Sequence, residues 1–153
     1  ALFNFDETQR GVTVSWQDIG IPTNTRCLVR EFWTEQFIGE FTESFTVVVP
    51  GLAARLYSIW PSTDKPQYLG TNLHLSQGEA ELVSLNWDET TRKLSGTFQR
   101  TEGICGRAYF YVPTSFQIQQ ASHPVYRQNG GLVAVELSFT QPSLDWELQF
   151  CET

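Results

Sequence analysis

The chain has 153 residues, 41% of them hydrophobic and 18% charged, with a formal net charge of −7 and a sequence pI near 4.7. This length allows one full domain or two small ones, each with a core, and the composition excludes a disordered chain. No Lys/Arg cluster exists to neutralise phosphates, and no apolar run approaches the roughly 20 residues of a membrane helix, so neither nucleic acid nor membrane is an expected partner.

The first residue is Ala1, Met is absent, and no charged-then-apolar leader is present, so the chain reads as a fragment or a processed product without a signal peptide. Its mild acidity and 14% aromatic content favour a secreted or periplasmic setting. Cys27, Cys105 and Cys151 cannot all pair within one chain. They are expected as buried small side chains, with a Cys105–Cys151 bridge as the alternative.

Taken in order, the elements show strand periodicity. Val12 to Trp16 alternates apolar and polar positions. Gln17-Asp18-Ile19-Gly20 allows a helical turn, which Gly20 and Pro22 stop. Cys27 to Trp33 is rich in strand formers, and a short run at Phe37-Ile38 follows before Gly39 and Glu40 punctuate. Phe45 to Val49 is halted by Pro50-Gly51, because Pro lacks the ladder donor and Gly accepts turn dihedrals. Ala54 to Trp60 resumes the pattern as an adjoining strand.

Pro61 to Gln67 reads as a stiff, extended linker between two all-β units, residues 1–60 and 68–153. Beyond it, strands are expected at Leu69–Leu75 and Ala80–Trp87. The polar turn Asp88–Lys93 leads into Leu94–Phe98, and later strands run over Arg107–Val112, Leu132–Phe139 and Leu144–Phe150. Many short strands separated by turn signals indicate an all-β fold of two antiparallel sandwich-like units in tandem.

The search for chemistry returns no catalytic residue, no cofactor site and no metal site. Asp18, Glu31, Glu35, Glu40 and Glu43 lie close in sequence but read as a solvated face rather than the paired carboxylates of a glycosidase. Asp88-Glu89 belongs to a turn, where Asp bonds its own backbone. Gly103 to Gly106 reads as a loop, and His74 and His123 lack neighbours at ligand spacing. Trp16, Trp33, Trp60, Trp87 and Trp146 each end or interrupt an apolar run, so core packing is expected for each, against an alternative in which exposed rings stack on sugars. Trp87 is expected between the sheets, sharing a face with Leu85 and Val83. Tyr109 and Tyr111 share one strand face opposite Phe110, and one of these faces should meet solvent or a partner.

Ala1 to Phe5, Val12 to Trp16 and Asp18-Ile19-Gly20, in that order, resemble the C-terminal β-domain of clan D alpha-galactosidase-type glycoside hydrolases. Val29-Arg30-Glu31-Phe32-Trp33 is similar to that domain's Val-Arg-Asp-Leu-Trp strand, with Glu and Phe in place of Asp and Leu. Phe45 to Pro50, continuing to Ala54-Arg55-Leu56-Tyr57, is similar to its closing strands, although Pro50-Gly51-Leu52-Ala53 departs from the usual Pro-His-Gly corner. Leu69 to Gly78, Trp87 to Gly96 and Tyr111-Val112-Pro113 resemble a further β-domain that follows in some bacterial members, and this likeness fades after about residue 120.

The resemblance implies a non-catalytic accessory region, its first domain with or without the first strand, packed on the catalytic (β/α)8 barrel of a parent glycoside hydrolase. It also implies that the chain alone hydrolyses no alpha-galactoside. A carbohydrate-binding module using exposed aromatics is the alternative, with carbohydrate as the partner.

Overall fold

The computed structural model describes residues 1–77 and 80–153, so Gly78, the last residue of the His74 stretch, lies outside the described residues. The chain is all-β, and helix among the described residues is confined to single 3-10 turns at Gln17–Ile19 and Asn129–Gly131. It divides into two compact units, residues 1–62 and 63–153.

In the first unit, β1 (Leu2–Asn4) pairs with β6 (Ala53–Arg55), and β2 (Arg10–Ser15) pairs with β5 (Ser44–Val49). A three-stranded sheet places β3 (Arg26–Glu31) between β4 (Phe37–Thr42) and β7 (Tyr57–Pro61). All pairs are antiparallel. Trp16, Cys27, Val29 and Phe45 form the core, joined by half-buried Val14, Ile38, Phe41, Tyr57 and Ile59. The Trp16 ring packs 5.7 Å from Phe45, and its indole N–H donates to the Thr25 carbonyl at 2.9 Å. That bond satisfies the one polar atom of a fully buried ring.

Two expectations for this unit are corrected. Gly39 and Glu40 do not end a strand, because β4 runs through them; the register shifts beside Gly39, whose φ of +149° suits such an irregularity. Ala54–Trp60 is not one strand. It splits at Leu56 into β6 and β7, which pair with different neighbours, β1 and β3.

The second unit holds two four-stranded antiparallel sheets. One has the order β12 (Phe116–Ala121), β15 (Ser143–Glu152), β10 (Lys93–Gln99), β9 (Leu82–Asp88). The other has the order β13 (Val125–Arg127), β14 (Leu132–Ser138), β11 (Cys105–Tyr111), β8 (Gln67–Thr71). Tyr68, Phe98, Phe110, Trp146, Leu148 and Phe150 lead its core. Trp146 lies across Gly96, its cross-strand partner, and stacks on Phe98 at 5.7 Å. A Cβ on Gly96 would sit 2.3 Å from the Ser84 carbonyl and 2.8 Å from the Trp146 ring, so the close approach requires glycine.

The strand expected over Leu69–Leu75 stops at Thr71, where a turn begins. β12 and β13 stand where no strand was expected. Phe110 and Tyr109, on opposite faces of β11, are both fully buried, so neither face meets solvent at that level. Between the strands β7 and β8, the Ser62 N–H donates to the Arg26 carbonyl, while Thr63 bonds to Gln67 and Lys65 pairs with Glu89 at 2.6 Å.

Candidate functional site

Two surface features carry chemistry, one on each unit. On the first unit, alternation in β1 sends Asn4 inward and Phe3 and Phe5 outward. Asn4 is buried, and its amide nitrogen donates to the carbonyls of Thr8, Val49 and Pro50 at 2.9, 3.1 and 3.0 Å. Its side-chain oxygen accepts from the Asp6 N–H at 3.1 Å. One polar side chain thus clamps the first strand to the Pro50 corner. Phe3 and Phe5 are left 61% and 85% exposed, their rings parallel within 6° and 6.1 Å apart.

The corner brings a third apolar group. The Leu52 N–H donates to the Asp6 carbonyl at 2.8 Å, and Gly51 passes so close to Glu7 that a Cβ would lie 2.0 Å from its carbonyl oxygen. Leu52 adopts φ +48°, a left-handed conformation unfavourable for a side chain of its size, and is 72% exposed. Three large apolar side chains therefore stand outside on backbone that is firmly held.

On the second unit, the outer face of the β9–β10–β15 sheet forms a groove of about 440 Å³. The ladder register sets its lining in two transverse rows: Asn86, Ser95 and Glu147, then Ser84, Thr97 and Asp145. The Thr97 hydroxyl donates to Asp145 Oδ1 at 2.7 Å, and Lys93 Nζ donates to Glu147 Oε2 at 2.9 Å. Ser122 closes one end, its hydroxyl accepting from the Glu147 N–H at 2.9 Å. Sequence reading missed this groove. The signal was present in the alternate polar positions of three strands, but only the register places them side by side.

The expected solvated face of acids is corrected at one position. Glu31 is buried at the end of central strand β3, where its Oε2 accepts from the Thr34 N–H and hydroxyl at 2.5 and 2.7 Å. It closes the loop before Gln36, whose carbonyl accepts from the Glu31 N–H at 2.9 Å. Burial, and then the Glu31 charge, push the hydroxyl of its cross-strand partner Tyr57 up from its ordinary range. Asp18, Glu40 and Glu43 are exposed, and Glu35 is half-buried. A different acid, Glu81, is also buried and pairs with Arg100 at 2.5 Å.

The tryptophans divide. Trp16 and Trp146 are buried as expected, but Trp33 and Trp60 are 56% and 37% exposed. Trp33 follows the end of β3 and packs edge-on against Phe32 at 5.0 Å; Trp60 lies on β7, an edge strand. Trp87 faces inward against Phe116 and Phe150, at 6.0 and 5.9 Å, yet is only half-buried because β9 is also an edge strand. The same edge, with a register shift opposite Val83, leaves Val83 and Leu85 exposed rather than packed beside it. The Trp87 indole N–H donates to Glu89 Oε2 at 2.6 Å. Hydrogen bonds from Lys65 and then Trp87 hold the Glu89 carboxyl below the usual range.

All three cysteines are free thiols: Cys27 buried, Cys105 exposed and Cys151 between the two. Cys105 and Cys151 stand on strands of different sheets, with separate partners in Ser138 and the Gln117 carbonyl, so the expected burial holds only for Cys27. Burial raises the Cys27 thiol above its ordinary range. Cys105 opens β11, so the Gly103–Gly106 segment is half loop and half strand. His74 bonds locally with Ser76, and His123 Nε2 lies 3.0 Å from the Asp145 carbonyl. Among the described residues, no three His, Cys, Asp or Glu side chains gather as a metal site would need.

Comparison with known families places residues 1–59 in a family model described as the alpha galactosidase C-terminal beta sandwich domain. No curated protein matches the chain.

Proposed function

From a first unit that matches the alpha galactosidase C-terminal beta sandwich domain, we propose that the chain is a non-catalytic C-terminal region of an alpha-galactosidase-like glycoside hydrolase. Its first unit docks on the catalytic (β/α)8 barrel of the intact protein, and the second unit is a further accessory domain. The observation that carries this reading is the exposed trio Phe3, Phe5 and Leu52 on rigid backbone. Full burial of such a side chain stabilises an interface by about 1.5–3 kcal/mol before the costs of association. Other large apolar side chains of this unit are exposed too, Trp33, Val48 and Trp60 among them. But Phe3, Phe5 and Leu52 stand on backbone tied together by Asn4 and the Leu52–Asp6 bond, and such a held apolar surface fits an interface.

The alternative is sugar binding by aromatics: the exposed Phe3 and Phe5 rings are parallel within 6°, as a sugar platform would also require, whereas the exposed aliphatic Leu52 favours a protein interface. The test is sedimentation of this chain with the separately produced barrel domain of the intact protein. Docking predicts a complex that Phe5→Asp abolishes while the far-UV spectrum of the chain is unchanged. Equal sedimentation of wild type and variant as separate species would refute it.

A further inference from the structure

We propose that the outer face of the β9–β10–β15 sheet binds a neutral, hydroxyl-rich ligand of the carbohydrate class, through hydrogen bonds and without an aromatic platform. This site lies in the second unit and stands independently of docking by the first.

The shape comes from side-chain size. The face carries short side chains on two adjacent strands, Ser84 and Asn86 on edge strand β9 and Ser95 and Thr97 on β10, with the longer Asp145 and Glu147 beside them on β15. Short groups flanked by longer ones make a depression. Strands lie about 4.8 Å apart and alternate residues about 6.8 Å apart, so two rows across three strands span roughly 10 by 7 Å. That is the footprint of one or two six-membered sugar rings. The 440 Å³ volume falls within the roughly 300–1,000 Å³ of small-molecule sites.

The chemistry narrows the ligand. Two carboxylates repel phosphate and other anions. Lys93 occupies one oxygen of Glu147 and Thr97 one oxygen of Asp145, which fixes both carboxylates while each retains a second acceptor oxygen. Asn86 adds two donors and an acceptor, and Ser84 and Ser95 add hydroxyls that both give and accept. Fixed acceptors interleaved with amide and hydroxyl groups complement vicinal hydroxyls, which also give and accept.

The experiment is titration of the 15N-labelled chain with lactose and with maltose, with spermidine and inorganic phosphate as charged comparisons. Binding predicts saturable amide shifts confined to Ser84, Asn86, Ser95, Thr97 and Asp145, in the millimolar range, for at least one disaccharide. Asp145→Ala should weaken this at least tenfold, a loss of about 1.4 kcal/mol or more. Ser95→Val, which removes a groove hydroxyl and favours strand, should also weaken it and guards against a folding artefact. No shift with either sugar at tens of millimolar, shifts outside the groove, shifts unaffected by both variants, or a response to spermidine alone would each overturn the proposal.

Discussion

The first unit closes its core with a two-stranded and a three-stranded sheet and leaves Phe3, Phe5 and Leu52 outside; the second uses two four-stranded sheets and leaves Ser, Thr, Asn and acids on one outer face. The difference follows from pairing. β1 and β6 share only three residue pairs, too few to carry a covering layer, and the Asn4 clamp holds them to a corner rather than under a sheet. β10, by contrast, has seven partners on β15 and a further strand on its other side, so its inner face is sealed by Trp146, Leu148 and Leu94. At the short β1–β6 pair apolar side chains stay exposed, while the outer face of β10 and β15 carries short polar and acidic ones.

The largest effect that should separate central from peripheral positions is at Trp146. Trp146→Ala removes a buried ring packed on Phe98 and Phe110, and should cost about 3–5 kcal/mol in urea denaturation. Trp87, half-buried on edge strand β9, should cost roughly half as much when changed to Ala, about 1.5–2.5 kcal/mol. Equal losses at the two positions would mean that edge placement does not govern ring burial here. An unaltered Trp87→Ala melt would remove Trp87 from the core altogether.

A smaller effect concerns the β9–β10 turn. Asp88 Oδ1 accepts the Thr90 and Thr91 N–H groups, and Glu89 accepts from Lys65 and Trp87; both carboxyls are held below their ordinary values. A depressed carboxyl contributes stability above its unfolded pKa and loses it as pH falls through the folded value. The Trp87 indole N–H resonance should therefore move with a midpoint below the ordinary glutamate value of 4.5. A midpoint at or above that value would show that the Lys65–Glu89–Trp87 contacts do not persist in solution.

Most strands were legible because Val12–Trp16 and Leu144–Phe150 alternate over a long enough run and Phe45–Val49 is rich in β-branched residues. Neither signal could show pairing. Ala54–Trp60 reads as one strand because nothing at Leu56 marks the change of partner from β1 to β3. Phe116–Ala121 was illegible as a strand because three of its six residues are Gln, and Val125–Arg127 because it is too short to show a period. The same limit explains the sites. Ser95 and Thr97 form a groove only through their register with Asn86, Ser84, Glu147 and Asp145. Phe3 and Phe5 could be read as core or surface until Asn4 was seen to point inward between them. Trp60 looked like a core ring because sequence does not say which strands are edges, and Trp33 because nothing in the run Cys27–Trp33 marks the end of β3 at Glu31.

Docking by the first unit is tested most directly by hydrogen–deuterium exchange of this chain alone and within the intact protein that carries the barrel. Docking predicts added protection at residues 1–6 and 50–53, the backbone that holds Phe3, Phe5 and Leu52, with the outer rows of β9 and β10 unchanged. Identical exchange at 1–6 and 50–53 in the two preparations would contradict it.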